Sequence, residues 1–284
     1  MLRAGINTSG YAVYHGMDTI VPFPTASLRH IGCMVRNIRP IEGLKSICNI
    51  EQDLSYCIVT DEYKLIQHQE VLDVVAQICA MHPEWGTPER TVWLSPNGGR
   101  TKATWRFPEI EFEIRPGDCI NPTIETFSSF DTTLAQYFTL GGFRLVCSNG
   151  MVIGKMLAEY RRKHTQGLNL DIAAAQISKG MDIYSNQVGL WKKYAERLAT
   201  KAEYTLLEEL PFHGSEKERI LSEMHKNGTV IKWDIESGKK VREVEINSWE
   251  MYNILTHEAT HNIQDIARQS RILEGVSKGF GQKG

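Results

Sequence analysis

Nine apolar positions step by four and three along one stretch of the chain: Leu170, Ala174, Ile177, Met181, Tyr184, Val188, Trp191, Ala195 and Leu198. Alternating steps of four and three average to the α-helical period, so these side chains share one stripe that has to be covered. The spacing predicts a long helix, packed on a sheet or paired with another helix. Gly180 lies in its middle and weakens a helix interior by about 1 kcal/mol relative to Ala, so a break is expected there.

Upstream of that stripe the period is two. Ile110-Glu111-Phe112-Glu113-Ile114 alternates apolar and acidic residues, the pattern of a strand with one face on a core and one in water. Thr91 to Leu94 and Thr101 to Phe107 flank Pro96-Asn97-Gly98-Gly99, and Asn-Gly supplies the positive φ angles of a tight turn, so a β-hairpin is expected. Phe143 to Cys147 runs into Ser148-Asn149-Gly150 and reads as a central strand with Phe143, Leu145 and Cys147 buried. Val71, Val74, Val75, Ile78 and Cys79 fall at helical spacing, and Pro83 ends that helix.

Further along, Ser215 with Glu218 reads as a capping box at the start of a helix. Ile231 to Ile246 reads as a second hairpin turning at Glu236-Ser237-Gly238. A last helix begins at Asn247 or Ser248 and runs past Ile266, and Gly275 to Gly284 reads as a flexible Gly-rich end. The first fifty residues are rich in Gly, Pro and Ser without a sustained period, as in an irregular arm with short strands. Together these segments predict an α+β fold: an antiparallel, hairpin-rich sheet packed by a long helix and several C-terminal helices. The expected organisation is an arm (1–54), a sheet-rich core (55–165), a helical region with one hairpin (166–272) and a flexible tail (273–284).

With 42% hydrophobic and 23% charged residues the chain has the composition of an ordinary globular protein. Its 32 Lys and Arg against 34 Asp and Glu leave a formal charge of −2, so any anion-binding surface has to be local. Cys33, Cys48, Cys57, Cys79, Cys119 and Cys147 are scattered without a CxxC pair and read as reduced, packed thiols. The first residues lack the apolar run of a signal peptide, and no stretch approaches the roughly 20 apolar residues that span a bilayer. A cytoplasmic location and no membrane partner are expected.

His257-Glu258-Ala259-Thr260-His261 has the HExxH form, in which two histidines one helical turn apart bind Zn²⁺ and the glutamate is the general base. A catalytic zinc needs a third protein ligand, and beyond His261 the candidates are Glu274 and Asp265. The alternative is a polar helix face, with Glu250, His257, His261, Gln264 and Arg268 opposite Tyr252, Leu255, Ala259 and Ile266. No cofactor or metal is expected on this second reading.

Positive charge collects in three places. Tyr160-Arg161-Arg162-Lys163 is expected to end a helix, where cations oppose the helix dipole favourably. Lys192, Lys193 and Arg197 lie along the long helix. Arg100, Lys102 and Arg106 are interleaved on the hairpin with Trp93 and Trp105, a mixture suited to phosphate contact with base stacking. A plain solvated surface is the other reading of each cluster.

Glu62-Tyr63-Lys64-Leu65-Ile66-Gln67-His68, Phe138 to Gly154, and Asn247 to His261, in that order, resemble the phage- and plasmid-encoded proteins grouped as domain-of-unknown-function family 932. The resemblance runs from about Ser55 to Gln282. Cys147, Asn149, Trp249, Asn253, Thr256 and His261 match the family's motifs. His68 stands where proline is common, Ser148 departs, and the family does not ordinarily carry histidine at the place of His257. Near the start, Tyr14-His15-Gly16 takes the place of a Trp-His-Gly.

The resemblance implies a phage or plasmid origin and an unknown molecular role, and it does not imply catalysis. A hairpin-rich sheet followed by helices is also similar to single-strand annealing recombinases, an analogy at the level of fold. The expected function is therefore non-enzymatic binding or annealing of single-stranded nucleic acid by a homo-oligomer. Arg100, Lys102, Arg106, Arg144, Arg161, Arg162, Lys163, Lys192, Lys193 and Arg197 would contact phosphates, and Trp93, Trp105 or Tyr160 would stack on bases. The alternatives are a zinc hydrolase using His257, Glu258 and His261, and an anti-defence protein that binds a host component.

Overall fold

The structure, a computed structural model, describes residues 5–6, 10–34, 38–144, 149–151, 158–165, 168–182, 184–232, 243–263 and 265–281. It is an α+β fold. Its large antiparallel sheet has the path β1 (Gly5–Ile6), β2 (Ala12–His15), β6 (Glu89–Leu94), β7 (Arg100–Arg106), β9 (Asp118–Ser129), β10 (Gln136–Arg144) and β11 (Asn149–Met151). Off that path, β8 (Phe112–Arg115) pairs with β9 and β12 (Ala158–Arg162) with β10. A separate three-stranded sheet joins β3 (Ala26–Met34), β4 (Ile38–Asn49) and β5 (Leu54–Thr60). The chain divides into two compact units, 1–109 with 123–139 and 158–179, and 110–122 with 140–157 and 180–284.

In the first unit the expected hairpin is present as β6 and β7, paired from Glu89 with Arg106 to Leu94 with Thr101. Its turn takes a positive φ at Gly98 (+69°) but not at Asn97, whose side-chain oxygen instead accepts from Ser95 Oγ (2.9 Å) and the Gly99 amide (3.0 Å). Thr101, Ala103 and Trp105 alternate inward along β7, as a half-buried strand requires.

Helix α1 (His68–Met81) buries Val71, Leu72, Val74, Val75 and Ile78, and a 3₁₀ turn at Pro83–Trp85 follows it. Gln67 ties its start to β3, accepting from the Ala26 amide (3.0 Å) and donating to the Ala26 carbonyl (2.9 Å). Next to it, the fully buried His68 imidazole stacks on Phe130 at 3.9 Å and bonds Ser128 Oγ and the Gly98 carbonyl, both at 3.1 Å. A carbonyl only accepts, so Nε2 carries the proton and Nδ1 accepts from Ser128. Burial, the largest influence, pushes this pKa down to about 3.

The N-terminal region is more regular than its composition suggests. Ala26–Met34 and Ile38–Asn49 form strands of nine and twelve residues rather than short pieces. Gly43 at φ +76°, Pro40 and the charged residues blur the alternation, because one face is largely exposed while Ala26 and Ile47 pack with Val59 and Phe130 on the other. The segment at Arg161 also differs, being strand β12 where a helix end was expected.

In the second unit, β8 shows the expected alternation: Ile114 is buried while Glu111 and Glu113 are exposed. The long apolar stripe is helical over α2 (Leu170–Asp182), which belongs largely to the first unit, and α3 (Tyr184–Glu196), and residue 183 between them lies outside the described residues. Gly180 lies within α2, so the break expected there is not seen at that residue. Along α3, Tyr184, Val188, Trp191 and Tyr194 are buried. Trp191 packs on Trp249 at 5.9 Å, and Tyr252 meets Phe280 edge-on at 5.1 Å.

Helices α4 (Lys201–Glu209) and α5 (Gly214–Asn227) follow. The capping interaction of α5 lies two residues earlier than expected: the His213 amide donates to Glu216 (2.7 Å), and Glu218 is exposed. Strands β13 (Thr229–Lys232) and β14 (Glu243–Glu245) pair as the second hairpin; its turn, Glu236-Ser237-Gly238, lies outside the described residues. Leu145 and Cys147, expected in a central strand, also lie outside them, as do the side chains of Phe143 and Arg144.

The last two helices correct the reading of the C-terminus. Helix α6 (Ser248–His257) passes into one π turn, Glu258–Asn262, and stops at Ile263 instead of running past Ile266. Helix α7 (Ile266–Gly281) then covers most of the segment expected to be flexible, with Leu273, Val276 and Phe280 buried. Its glycines serve packing: a Cβ on Gly275 would lie 2.2 Å from Leu210 Cδ2, and one on Gly279 would lie 2.5 Å from Leu206 Cδ2. Side-chain volume at either place forces the Leu210 or Leu206 side chain to shift, a tertiary demand that composition alone does not reveal. No described helix is long and apolar enough to cross a membrane.

Candidate functional site

The hairpin cations are engaged within the fold. Lys102 Nζ lies 2.6 Å from Glu125 with both side chains largely buried, and 5.4 Å from the ring centres of Trp93 and Phe127. Arg100 pairs with Asp131 at 2.5 Å, and Arg106 pairs with Glu89 across the β6–β7 ladder. Trp105 is 1% exposed and faces the core, so it offers no ring to a base. Trp93 is half-buried beneath Lys102.

The basic run at the end of β12 lies at the surface, with the Arg162 guanidinium 5.8 Å from the centre of the Tyr160 ring. Arg161, Arg162 and Lys163 are all exposed, and buried aromatic groups bracket them on both sides. Before them, Tyr160 is 2% exposed, packs against Phe138 and accepts from the Asn169 amide at 2.7 Å. After them, His164 is buried and stacks on Tyr63 at 5.1 Å, while its carbonyl accepts from the Lys64 amide at 3.0 Å. Burial lowers the His164 pKa, so this anchor is neutral and does not add to the triplet's charge. Tyr160 is thus an anchor for the cations, not a stacking surface.

In the second unit Lys192 and Lys193 are exposed on α3. Arg197 is a structural clamp: it holds the buried Glu203 at 2.5 and 3.1 Å, bonds Ser248 Oγ at 2.5 Å, and lies 4.9 Å over the Tyr194 ring. Spacing along the sequence could not separate Arg197 from its lysine neighbours, because its carboxylate partner comes from the next helix.

The HExxH segment occupies the junction of α6 and the π turn. The Glu258 carboxylate is 4% exposed and doubly engaged, receiving Arg219 Nε at 3.0 Å and Asn262 Nδ2 at 2.6 Å. The rings of His257 and His261 lie face to face at 4.3 Å. No group of three or more His, Cys, Asp or Glu among the described residues could hold a metal ion. The π turn widens the helix, and side chains take up the carbonyls involved: Thr260 Oγ1 donates to Thr256 O at 2.8 Å, and the buried Gln269 amide donates to Ala259 O at 2.9 Å.

Glu250 and His257, expected on a polar outer face, instead line a cavity of about 440 Å³ between α5 and α6. The residues from α5 and from α6 both recur at steps of three and four, so each helix turns one stripe toward the space. Asn253 is the member that sequence reasoning missed. It lies in that stripe and is 3% exposed, and the sequence marked it only as a match to the family's motif, without a place in a cavity.

Residues 56–277 match the model of the family described as a domain of unknown function, DUF932. No curated protein and no solved structure matches the chain.

Proposed function

The chain belongs to the DUF932 family, whose description names no activity, and we propose from the geometry of the first unit that it binds single-stranded nucleic acid through phosphate contacts. The observation that carries this reading is the exposed run Arg161-Arg162-Lys163, held between the buried anchors Tyr160 and His164. A cationic surface whose backbone is already fixed loses little entropy on meeting a phosphate chain. Lys192 and Lys193 supply further exposed cations on the other unit. The hairpin cations and Trp105 play no part in this version, since the fold already occupies them. Binding is accordingly sequence-independent and dominated by counterion release. Encoding by a phage or plasmid and assembly into a ring or filament belong to the same proposal. Gene neighbourhood and light scattering with and without oligonucleotide test them.

The decisive experiment titrates a fluorescently labelled single-stranded oligonucleotide at several salt concentrations. Three phosphate contacts give a slope of log affinity on log salt of about −2, from roughly 0.7 per phosphate on single strands. Arg161→Glu with Arg162→Glu removes most of that slope. Failure of the wild-type protein to bind at low salt overturns the proposal and moves a protein partner into its place.

A further inference from the structure

We propose that the cavity between α5 and α6 binds a neutral heterocycle of nucleobase size, which presents an N–H donor to Asn253. The inference concerns the second unit and stands independently of phosphate binding by the first. The cavity measures about 440 Å³, within the range of roughly 300–1,000 Å³ typical of small-molecule sites. Ile220 and Ile254, both buried, give it an apolar floor, and polar side chains from both helices form the rest of its wall.

Charge selects the class of ligand. Each ionic group in the wall already has an opposite partner: Arg219 holds Glu258, Lys226 holds Glu223 at 2.5 Å, and Glu250 is held by Arg115. A charged ligand would therefore enter without a counter-ion and lose its hydration. One hydrogen bond is left unmade. Asn253 Nδ2 donates to the Trp249 carbonyl at 2.6 Å, which identifies the other atom as the acceptor Oδ1. That oxygen is buried and has no partner among the described residues. A buried acceptor without a donor costs about 1–3 kcal/mol, and a ligand N–H recovers the loss once the Asn253 side chain turns Oδ1 from its closed position toward the cavity. An apolar floor beneath a flat body, a neutral wall and one waiting acceptor together describe a heterocycle with an amino or ring N–H edge.

The π turn is the second, independent observation. It contributes Glu258 and Asn262 to the cavity wall, and single π turns inside helices are rare and concentrate at functional sites. An uninterrupted α6 would set these two residues at a different angle to Asn253.

The test uses the full chain with adenosine, cytidine, guanosine and N6,N6-dimethyladenosine as probes, read by calorimetry and by thermal shift. The expected result is saturable binding of at least one amino-bearing nucleoside below about 1 mM, with a raised Tm. If that nucleoside is adenosine, the dimethyl analogue, which keeps the ring and loses the donor, binds at least about tenfold more weakly. Asn253→Leu weakens the same probe about tenfold. Because that change touches a buried residue, Ser222→Trp is made in parallel: Ser222 is exposed on the rim, and the indole fills the entrance without disturbing the core. Arg161→Glu with Arg162→Glu leaves nucleoside binding unchanged, which separates this site from the phosphate surface. No binding of any probe at about 10 mM overturns the proposal, as does equal binding to the Ser222→Trp protein.

Discussion

The β6–β7 hairpin and the segment from Tyr160 to His164 carry similar side chains, basic residues next to aromatic ones, yet the fold uses them in opposite ways. On the hairpin the cations are spent internally: Lys102 neutralises the buried Glu125, Arg100 holds Asp131, and Trp105 is core. On β12 the aromatic groups are buried and the cations are exposed. β7 is flanked by β6 and β9, which bring Glu89 and Glu125 within reach, while Arg161 to Lys163 lie at a strand end between two anchors. Basic and aromatic composition is therefore compatible with a nucleic-acid surface or with a cross-strand ion pair, and the third dimension decides between them.

The largest expected effect comes from breaking the internal use of charge. Lys102→Ala leaves Glu125 buried without its cation and should cost about 3–5 kcal/mol of stability in denaturant unfolding, while Lys102→Met with Glu125→Leu recovers most of the loss. Oligonucleotide binding by the double variant should equal that of the wild type. Weakened binding would return Lys102 to the interface.

Protonation of the buried histidine tests the same unit by pH. The folded pKa of His68 lies below its ordinary value, so the unfolded chain takes up the proton first. The neutral ring's contribution is fully present above about pH 6.5 and is lost as pH falls toward about 3, at roughly 1.4 kcal/mol per unit. His164 acts in the same direction. Replacing His68 with Phe should flatten this part of the stability profile; an unchanged slope would show that His68 is not the group responsible.

Smaller effects sharpen the contrast at the surface. Arg106→Ala removes an ion pair with the exposed Glu89 and should cost no more than about 1 kcal/mol. Reversing Arg161 and Arg162 to Glu should change stability by less than about 0.5 kcal/mol, as expected for exposed side chains outside the core. A loss of several kcal/mol there would mean that these cations also serve the fold.

Local patterns were legible where local physics decides. The Asn97-Gly98 turn, the α1 stripe from Val71 to Ile78 and the Glu111-Phe112-Glu113-Ile114 alternation all appear as their periods require. Misreadings fell where the deciding group is remote in sequence. Gly275 and Gly279 look like a flexible tail until Leu210 and Leu206 arrive from α4. Helix α6 looks continuous until the π turn interrupts it, with Gln269 from α7 bonding a carbonyl at its centre. The cavity was equally hidden, because the α5 and α6 stripes are each an ordinary polar helix face until they oppose one another. For the β12 segment the basic residues were visible in the sequence, but not that Tyr160 would be their anchor.

The most direct test of the central claim is the salt dependence of single-stranded oligonucleotide binding by the wild-type protein beside its Arg161→Glu, Arg162→Glu variant. The account predicts wild-type binding at low salt with a slope near −2, and a variant that binds weakly with a slope near zero. Equal affinity and equal slope for the two proteins would contradict it.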